Sequence, residues 1–266
     1  MIEDAVGHVY GPRPYRTDES AVAAYRAAVG LASDGPPPPA LAGAMLFAVA
    51  PEMLSDERIG EDGRSVVHGE QTFSWHGGIP AGATLSVSGE IVKARRRGDV
   101  TFTTFELSVS DETGRHVVDG TSLFLMSSGS ATGAQVDEAQ EPGPLAGSLA
   151  SHDPGGPTGR FSASRADLVR YAGASADWNP IHWDHDTAVE AGLSGVVVHG
   201  LLQSAWMLTV AGAVVGADPA TARFRYRAPL RPAVEVEVTG SVDGDVCSLE
   251  LASSDAVHVT ATVGTT

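Results

Sequence analysis

Two side chains able to move protons stand five residues apart in the stretch Ala176-Asp177-Trp178-Asn179-Pro180-Ile181-His182. The Asn179-Pro180 turn restricts the backbone between them. A carboxyl and an imidazole so held can be aimed at one small volume, and such positioning supplies much of a catalysed rate. Farther on, Val198-His199-Gly200-Leu201-Leu202 places a glycine where an apolar helix should begin. The backbone N–H there has no partner within the helix, has the dipole behind it and, on a glycine, allows close approach of a ligand. Together these residues look like an acid/base pair facing an oxyanion site. A plainer reading stays open, in which Asp177 caps an Asx turn, His182 is a satisfied core imidazole and Gly200 only fits a tight helix entry. Asn179 is expected to orient the loop, and His199 to be structural. Ser194 and Gln203 lie near enough in sequence to contact a ligand, without a feature that sets them apart.

The elements that must position these residues are bounded first by composition. A chain of 266 residues can form one large domain or two ordinary ones, and 42% apolar residues argue against wholesale disorder. The longest apolar run, 205–215, is too short to span a bilayer, so no membrane segment is expected. Met1-Ile2-Glu3-Asp4 lacks the basic lead-in of a secretory signal, and Cys247 is the sole cysteine; a cytoplasmic protein is expected. A net charge of -16 disfavours nucleic acid as a partner. Arg95 to Arg97 and the series Arg223, Arg225, Arg227 and Arg231 read either as an anion patch or as solvated strand ends. The nine histidines show no metal-ligand spacing and no Gly-rich phosphate loop follows a strand, so neither a metal nor a redox cofactor is expected.

Taken in order, Gly11-Pro12-Arg13-Pro14 suggests an irregular lead-in, and Thr17 an N-cap for an alanine-rich helix running to about Val29. Gly35 and the prolines 36–39 form a stiff connection. Residues 40–54 suit a short buried helix that Pro51 should end or kink. Strands follow at 66–75, 84–94, 100–110 and 116–126, separated by Gly-containing turns, which makes an antiparallel meander. Residues 127–159 are Ser, Gly, Pro, Ala and acid without apolar periodicity. A helix at 165–172 leads into the Asp177 stretch, Gly200 opens a helix ending near Gly216, and strands at 222–227, 234–242, 246–252 and 257–263 complete the chain. The expected organisation is an N-terminal domain at 1–128, a linker at 129–158 and a catalytic C-terminal domain at 159–266.

The two halves repeat one another. Phe73-Ser74-Trp75, Ile79, Leu85, Val87 and Gly89 match Phe224-Arg225-Tyr226, Leu230, Val236, Val238 and Gly240 at one ungapped offset, 224 − 73 = 151. Tyr25-Arg26-Ala27 and Arg170-Tyr171-Ala172 are alike only in composition, and the echo of Val66-Val67-His68-Gly69 in Val197-Val198-His199-Gly200 is taken as chance. A helix wrapped by a curved antiparallel sheet, present twice, is an α+β double hot dog: two curved antiparallel sheets, each around a central helix, able to join as one continuous sheet.

On this pattern Ser175-Ala176-Asp177-Trp178-Asn179-Pro180-Ile181-His182 resembles the signature of the MaoC-like, (R)-specific enoyl-CoA hydratases, also called hydratase 2, in their two-domain form. The likeness covers the second half and, more loosely, the first, which lacks the Asp-x-Asn-Pro-x-His motif and would be a degenerate partner. The resemblance implies a hydro-lyase that hydrates trans-2-enoyl-CoA and dehydrates (R)-3-hydroxyacyl-CoA. Asp177 and His182 would be the catalytic pair, Gly200 the oxyanion donor and Asn179 a supporting residue. Coenzyme A would enter only as part of the substrate. Some members carry a serine about two turns into the helix that supports the aspartate; Leu208 stands there in this chain. Three alternatives remain: a dehydratase of acyl-carrier-protein-bound chains, a non-catalytic acyl-binding subunit, and a thioesterase on the same fold. A homodimer is the expected assembly.

Overall fold

The computed structural model describes residues 2–128 and 158–265. The linker expected at 129–158 falls, but for its last residue, outside the described residues. Strand β1 (Val9–Arg16) precedes helix α1 (Glu19–Ala28). Residues 39–54 follow as four short helical pieces, among them α2 (Ala42–Met45) and α3 (Ala50–Leu54). Strands β2 (Ser65–Trp75), β3 (Thr84–Arg97), β4 (Val100–Ser110) and β5 (His116–Ser127) follow. Strands β3 to β5 form a meander as expected, but β2 pairs with β5 and not with β3, so the connection at 77–80 crosses between non-adjacent strands instead of closing a hairpin. The second half runs through β6 (Gly159–Phe161), α4 (Arg165–Ser175), α5 (His185–Glu190) and α6 (Gly200–Val215). It ends with β7 (Thr221–Tyr226), β8 (Val236–Asp243), β9 (Val246–Ala252) and β10 (Val257–Gly264).

All ten strands belong to one sheet, in the order β1-β3-β4-β5-β2-β7-β10-β9-β8-β6. Read outward from the β2–β7 joint, the two sides carry the same connectivity. The joint also respects the sequence repeat: Gln71 pairs with Phe224, Thr72 with Arg223 and Phe73 with Ala222. Each residue thus faces the repeat-equivalent of its counterpart's partner, an approximate two-fold centred on Thr72 and Arg223. Period-2 alternation sends Phe73 and Trp75 of β2, with Ala222 and Phe224 of β7, inward to a shared core. Glu70, Arg223 and Arg225 face outward, and Glu70 accepts from both guanidinium groups at 2.8–3.1 Å. Arg223 and Arg225 therefore tie the two halves together and are not an anion patch. Near the other expected cluster, Arg96 pairs with Asp62 at 3.2 Å and Arg97 lies over the Phe102 ring.

Helix α6 is the central helix of the second half. Leu201, Leu202, Ala205, Trp206, Met207 and Leu208 are all buried, because β8, β9 and β10 curve around it and the N-terminal helical pieces cover the rest. Each such Leu or Met contributes about 1.5–3 kcal/mol by leaving water. The counterpart in the first half is not one short helix, as expected for 40–54, but a broken run. Pro51 does not end it: proline occupies the first turn of α3, where its missing N–H costs nothing. Thr17 is not the cap of α1. Asp18 precedes that helix without a side-chain cap, while the Thr17 hydroxyl donates to Pro80 O at 2.7 Å and accepts from Ala83 N at 3.0 Å. The supposed lead-in is strand β1, bulged between Tyr10 and Arg13. Pro12 and Pro14 cannot donate to a ladder, and an edge strand pairing only with β3 tolerates them. Short β6 mirrors it at the opposite edge.

Candidate active site

Helix α4 brings the chain to the site. Ser164 starts it with a reciprocal capping box, accepting from Asp167 N while the Asp167 carboxylate accepts from Ser164 N at 2.8 Å. Ala176, at φ 63°, ends it in the left-handed region and turns the chain sharply. Asn179 then organises the loop, as its sequence position suggested. Its side-chain oxygen accepts from Ile181 N at 3.4 Å, and its amide donates to Val66 O on β2 at 3.1 Å, so the loop is moored to the other half of the molecule. The single helical turn Pro180–His182 follows.

Asp177 and His182 are 6% and 7% exposed. Asp177 Oδ1 accepts from Asn179 N at 3.4 Å, so the Asx turn is present, yet the carboxyl also lines a cavity shared with His182. His182 Nδ1 lies 2.8 Å from Val197 O. A carbonyl only accepts, so Nδ1 carries the proton and Nε2 keeps its lone pair. Burial raises the Asp177 carboxyl to about 7 and lowers the His182 imidazole to about 4. The usual order of an aspartic acid and a histidine is thereby reversed: between the two values the acid holds a proton and the imidazole holds none.

Gly200 opens α6, and no side chain caps that helix. Its first N–H groups consequently have no partner within it, and Gly200 borders the same cavity. A Cβ at Gly200 would lie 2.9 Å from the Tyr226 ring, so glycine is needed there for packing. Tyr226 fixes the helix entry through its hydroxyl, 2.8 Å from Ser204 Oγ, which donates in turn to Gly200 O at 3.2 Å. Leu208 is buried in the core and does not border the cavity. Gln203 does border it; Ser194 does not.

The cavity has a volume of about 690 Å3. Its far wall comes from the first half: Phe47, Ala50 and Met53 from the broken helix, with Val66, His68 and Phe124 from the sheet. His68 and Tyr226 have ring centroids 5.1 Å apart, and burial lowers the His68 imidazole to about 4. Neither residue carries a local motif that announces a site. The one trace was the Val-Val-His-Gly echo, whose offset, 199 − 68 = 131, differs from that of the repeat. His68 borders the cavity, whereas His199 stands one layer behind His182.

Asp177, His182 and His199 each bring a ligand atom within 4.8 Å of the others, a donor set of the right type for a transition metal. The two imidazoles stack at 3.7 Å and 24°, however. Lone pairs lie in the ring planes, and nearly parallel stacked planes do not bring two of them together at the roughly 2 Å that a shared ion takes. The cluster suits proton transfer better than coordination. Among the described residues no helix is long and apolar enough to cross a membrane.

Comparison with known proteins divides the chain as its symmetry does. Residues 151–263 match the family model described as a MaoC like domain, and residues 4–120 that of a FAS1-like dehydratase domain region. A mitochondrial 3-hydroxyacyl-[acyl-carrier-protein] dehydratase of Arabidopsis thaliana is 35% identical over 68 residues, 25% of this chain and 41% of that enzyme. The chain thus spans under half of that enzyme's length. A UPF0336 protein of Streptomyces avermitilis is 35% identical over 117 residues, 43% of this chain and 71% of the relative. Among solved structures, a MaoC-like dehydratase superposes with a TM-score of 0.77 at 23% identity, covering 100% of this chain and 99% of the other.

Proposed function

The chain belongs to the MaoC-like dehydratase family, in double hot dog form, and from that premise we propose that it interconverts trans-2-enoyl and (R)-3-hydroxyacyl thioesters. One observation carries the reading: Asp177, His182 and the uncapped N-terminus of α6 at Gly200 border a single cavity that continues between apolar side chains. A thioester carbonyl bound at the Gly200 N–H places C2 and C3 before the acid and the base. In hydration, His182 Nε2 takes a proton from water as its oxygen bonds to C3. Negative charge developing on the thioester oxygen is stabilised by the Gly200 N–H and the dipole of α6. The Asp177 carboxyl then gives its proton to C2. The resulting imidazolium returns a proton to the carboxylate within the 4.8 Å cluster, restoring the starting state. Dehydration runs the same steps backwards. The opposed shifts of the two groups fit this division of labour, since an acid raised and a base lowered identify their roles.

The apolar wall supplied by Phe47, Ala50 and Met53 supports a long or bulky acyl group. Coenzyme A is the proposed carrier. The Arabidopsis relative acts by name on carrier-protein thioesters, which supports an acyl carrier protein as the second reading. The test is the loss of enoyl absorbance with crotonyl-CoA, a long-chain enoyl-CoA and the matching carrier-protein thioesters, with product configuration assigned by a stereospecific dehydrogenase. Formation of the (R) product is expected, with kcat reduced on the order of 10³-fold in Asp177→Asn and in His182→Ala. Release of free thiol without hydration would make the protein a thioesterase. No turnover of any thioester, with binding retained, would make it an acyl-binding subunit.

A further inference from the structure

His199 is wholly buried and borders no part of the cavity, yet it touches both members of the catalytic pair. Its ring stacks on His182 with centroids 3.7 Å apart and planes 24° from parallel. Its Nε2 lies 3.3 Å from the backbone oxygen of Asp177. That oxygen can only accept, so Nε2 carries the proton and Nδ1 must hold a bare lone pair. Among the described residues Nδ1 has no hydrogen-bond partner. A buried nitrogen left unpaired is costly, and phenylalanine would fill the same space without it. The imidazole therefore earns its place through Nε2.

Behind His199 stands Tyr171 of α4, with ring centroids 4.8 Å apart, and Tyr171 leans on Tyr25 of α1 at 6.1 Å. The His182 ring is thus the front of an aromatic column anchored in two helices. Its edge is pinned separately by the Nδ1 bond to Val197 O. The Asp177 main chain would otherwise depend on the long bond from its N–H to Ser175 Oγ, at 3.2 Å.

We propose that His199 is a positioning residue for the acid/base pair: its face fixes the plane of the His182 ring, and its Nε2–H fixes the backbone from which the Asp177 carboxyl projects. It touches no substrate. Burial keeps it neutral, in keeping with a place beside a ring that becomes cationic during turnover. The activity arm of the test rests on the hydro-lyase reading; the spectroscopic arm does not.

His199→Phe keeps a ring under His182 and removes the donor, whereas His199→Gln keeps a donor near the Nε2 position and removes the ring. Because displacement of reacting groups by about 1 Å costs on the order of 10²-fold, kcat should fall to that extent in His199→Phe. In His199→Gln it should fall about tenfold, with KM within about threefold of wild type in both. A purely structural side chain would change the amount of folded enzyme and leave kcat per folded molecule alone. Folded variants with wild-type kcat, or with changes confined to KM, overturn the proposal. Should neither variant fold, long-range 15N–1H spectra of the wild-type imidazoles at neutral pH decide it. His199 is expected as the neutral Nε2–H tautomer and His182 as the Nδ1–H tautomer. A proton on Nδ1 of His199 overturns the proposal. A wild type that hydrates no thioester refutes the function reading, while the same spectra still decide the positioning role.

Discussion

The two halves of this molecule share a sheet and differ in what the sheet wraps. In the second half α6 runs unbroken from Gly200 to Val215 and presents its N-terminus to the cavity. In the first half the corresponding run, 39–54, breaks into four short pieces whose Phe47, Ala50 and Met53 side chains form the opposite wall. Pro39 and Pro51 each lie in the first turn of a piece, where proline can start a helix but cannot continue one already running. On the proposed function, duplication leaves a chemical half and a shaping half. An intact helix offers an aligned dipole at one point, and a broken one yields space along a line.

The comparison can be broken at several places, the first being the pair itself. If a protonated Asp177 and a neutral His182 are both required, kcat/KM should be bell-shaped, rising as pH climbs through about 4 and falling above about 7. The sign follows from the shifts: a raised acid loses its working proton above its folded pKa, and a lowered base gains an unwanted one below its own. Activity should fall about tenfold per pH unit on the alkaline side, roughly 10²-fold between pH 7 and pH 9. A rate that keeps rising to pH 9 would show Asp177 working as a carboxylate.

At the head of α6, Gly200→Ala drives a methyl group to 2.9 Å from the Tyr226 ring. Displacement of the oxyanion donor should cost on the order of 10²-fold in kcat, and steady-state kinetics on the folded variant would measure it. The shaping half answers differently. Ala50→Leu places bulk in the apolar wall without touching the pair, and should reduce kcat/KM for a long-chain enoyl thioester about tenfold while sparing the four-carbon substrate. Equal loss on both substrates would mean that the broken helix supports the fold and not selectivity. The smallest effect lies at the joint. Glu70→Ala removes the ion pairs to Arg223 and Arg225, which are about half exposed, and should cost about 1 kcal/mol in denaturant unfolding, with less difference at high salt.

Much of this architecture was legible because it repeats locally. Strands β2 to β5 alternate with period 2 between glycine-bearing connections, β7 to β10 alternate likewise, and α6 is a continuous apolar run opened by glycine. The edge strands were hidden because Pro12 and Pro14 speak against a strand unless its outer side is known to be unpaired, and three-residue β6 is too short to show a period. Thr17 misled for a related reason. A threonine before a helix is a good cap by type, and only the neighbouring chain at Pro80 and Ala83 revealed the use of its hydroxyl.

The sequence by itself determined the duplication, the curved antiparallel sheets and the Asp177–His182 spacing within one turn-bearing loop. These rest on periodicity and on contacts between near neighbours in the chain. Only the tertiary structure decided that His68 and Tyr226 meet across the joint, that Ala50 and Met53 close the cavity from the other half, and that His199 stands under His182. Such contacts join residues from 17 to well over 100 positions apart. They depend on the register in which β2 meets β7 and on how α4 and α6 settle against the sheet, and no local pattern encodes that relation.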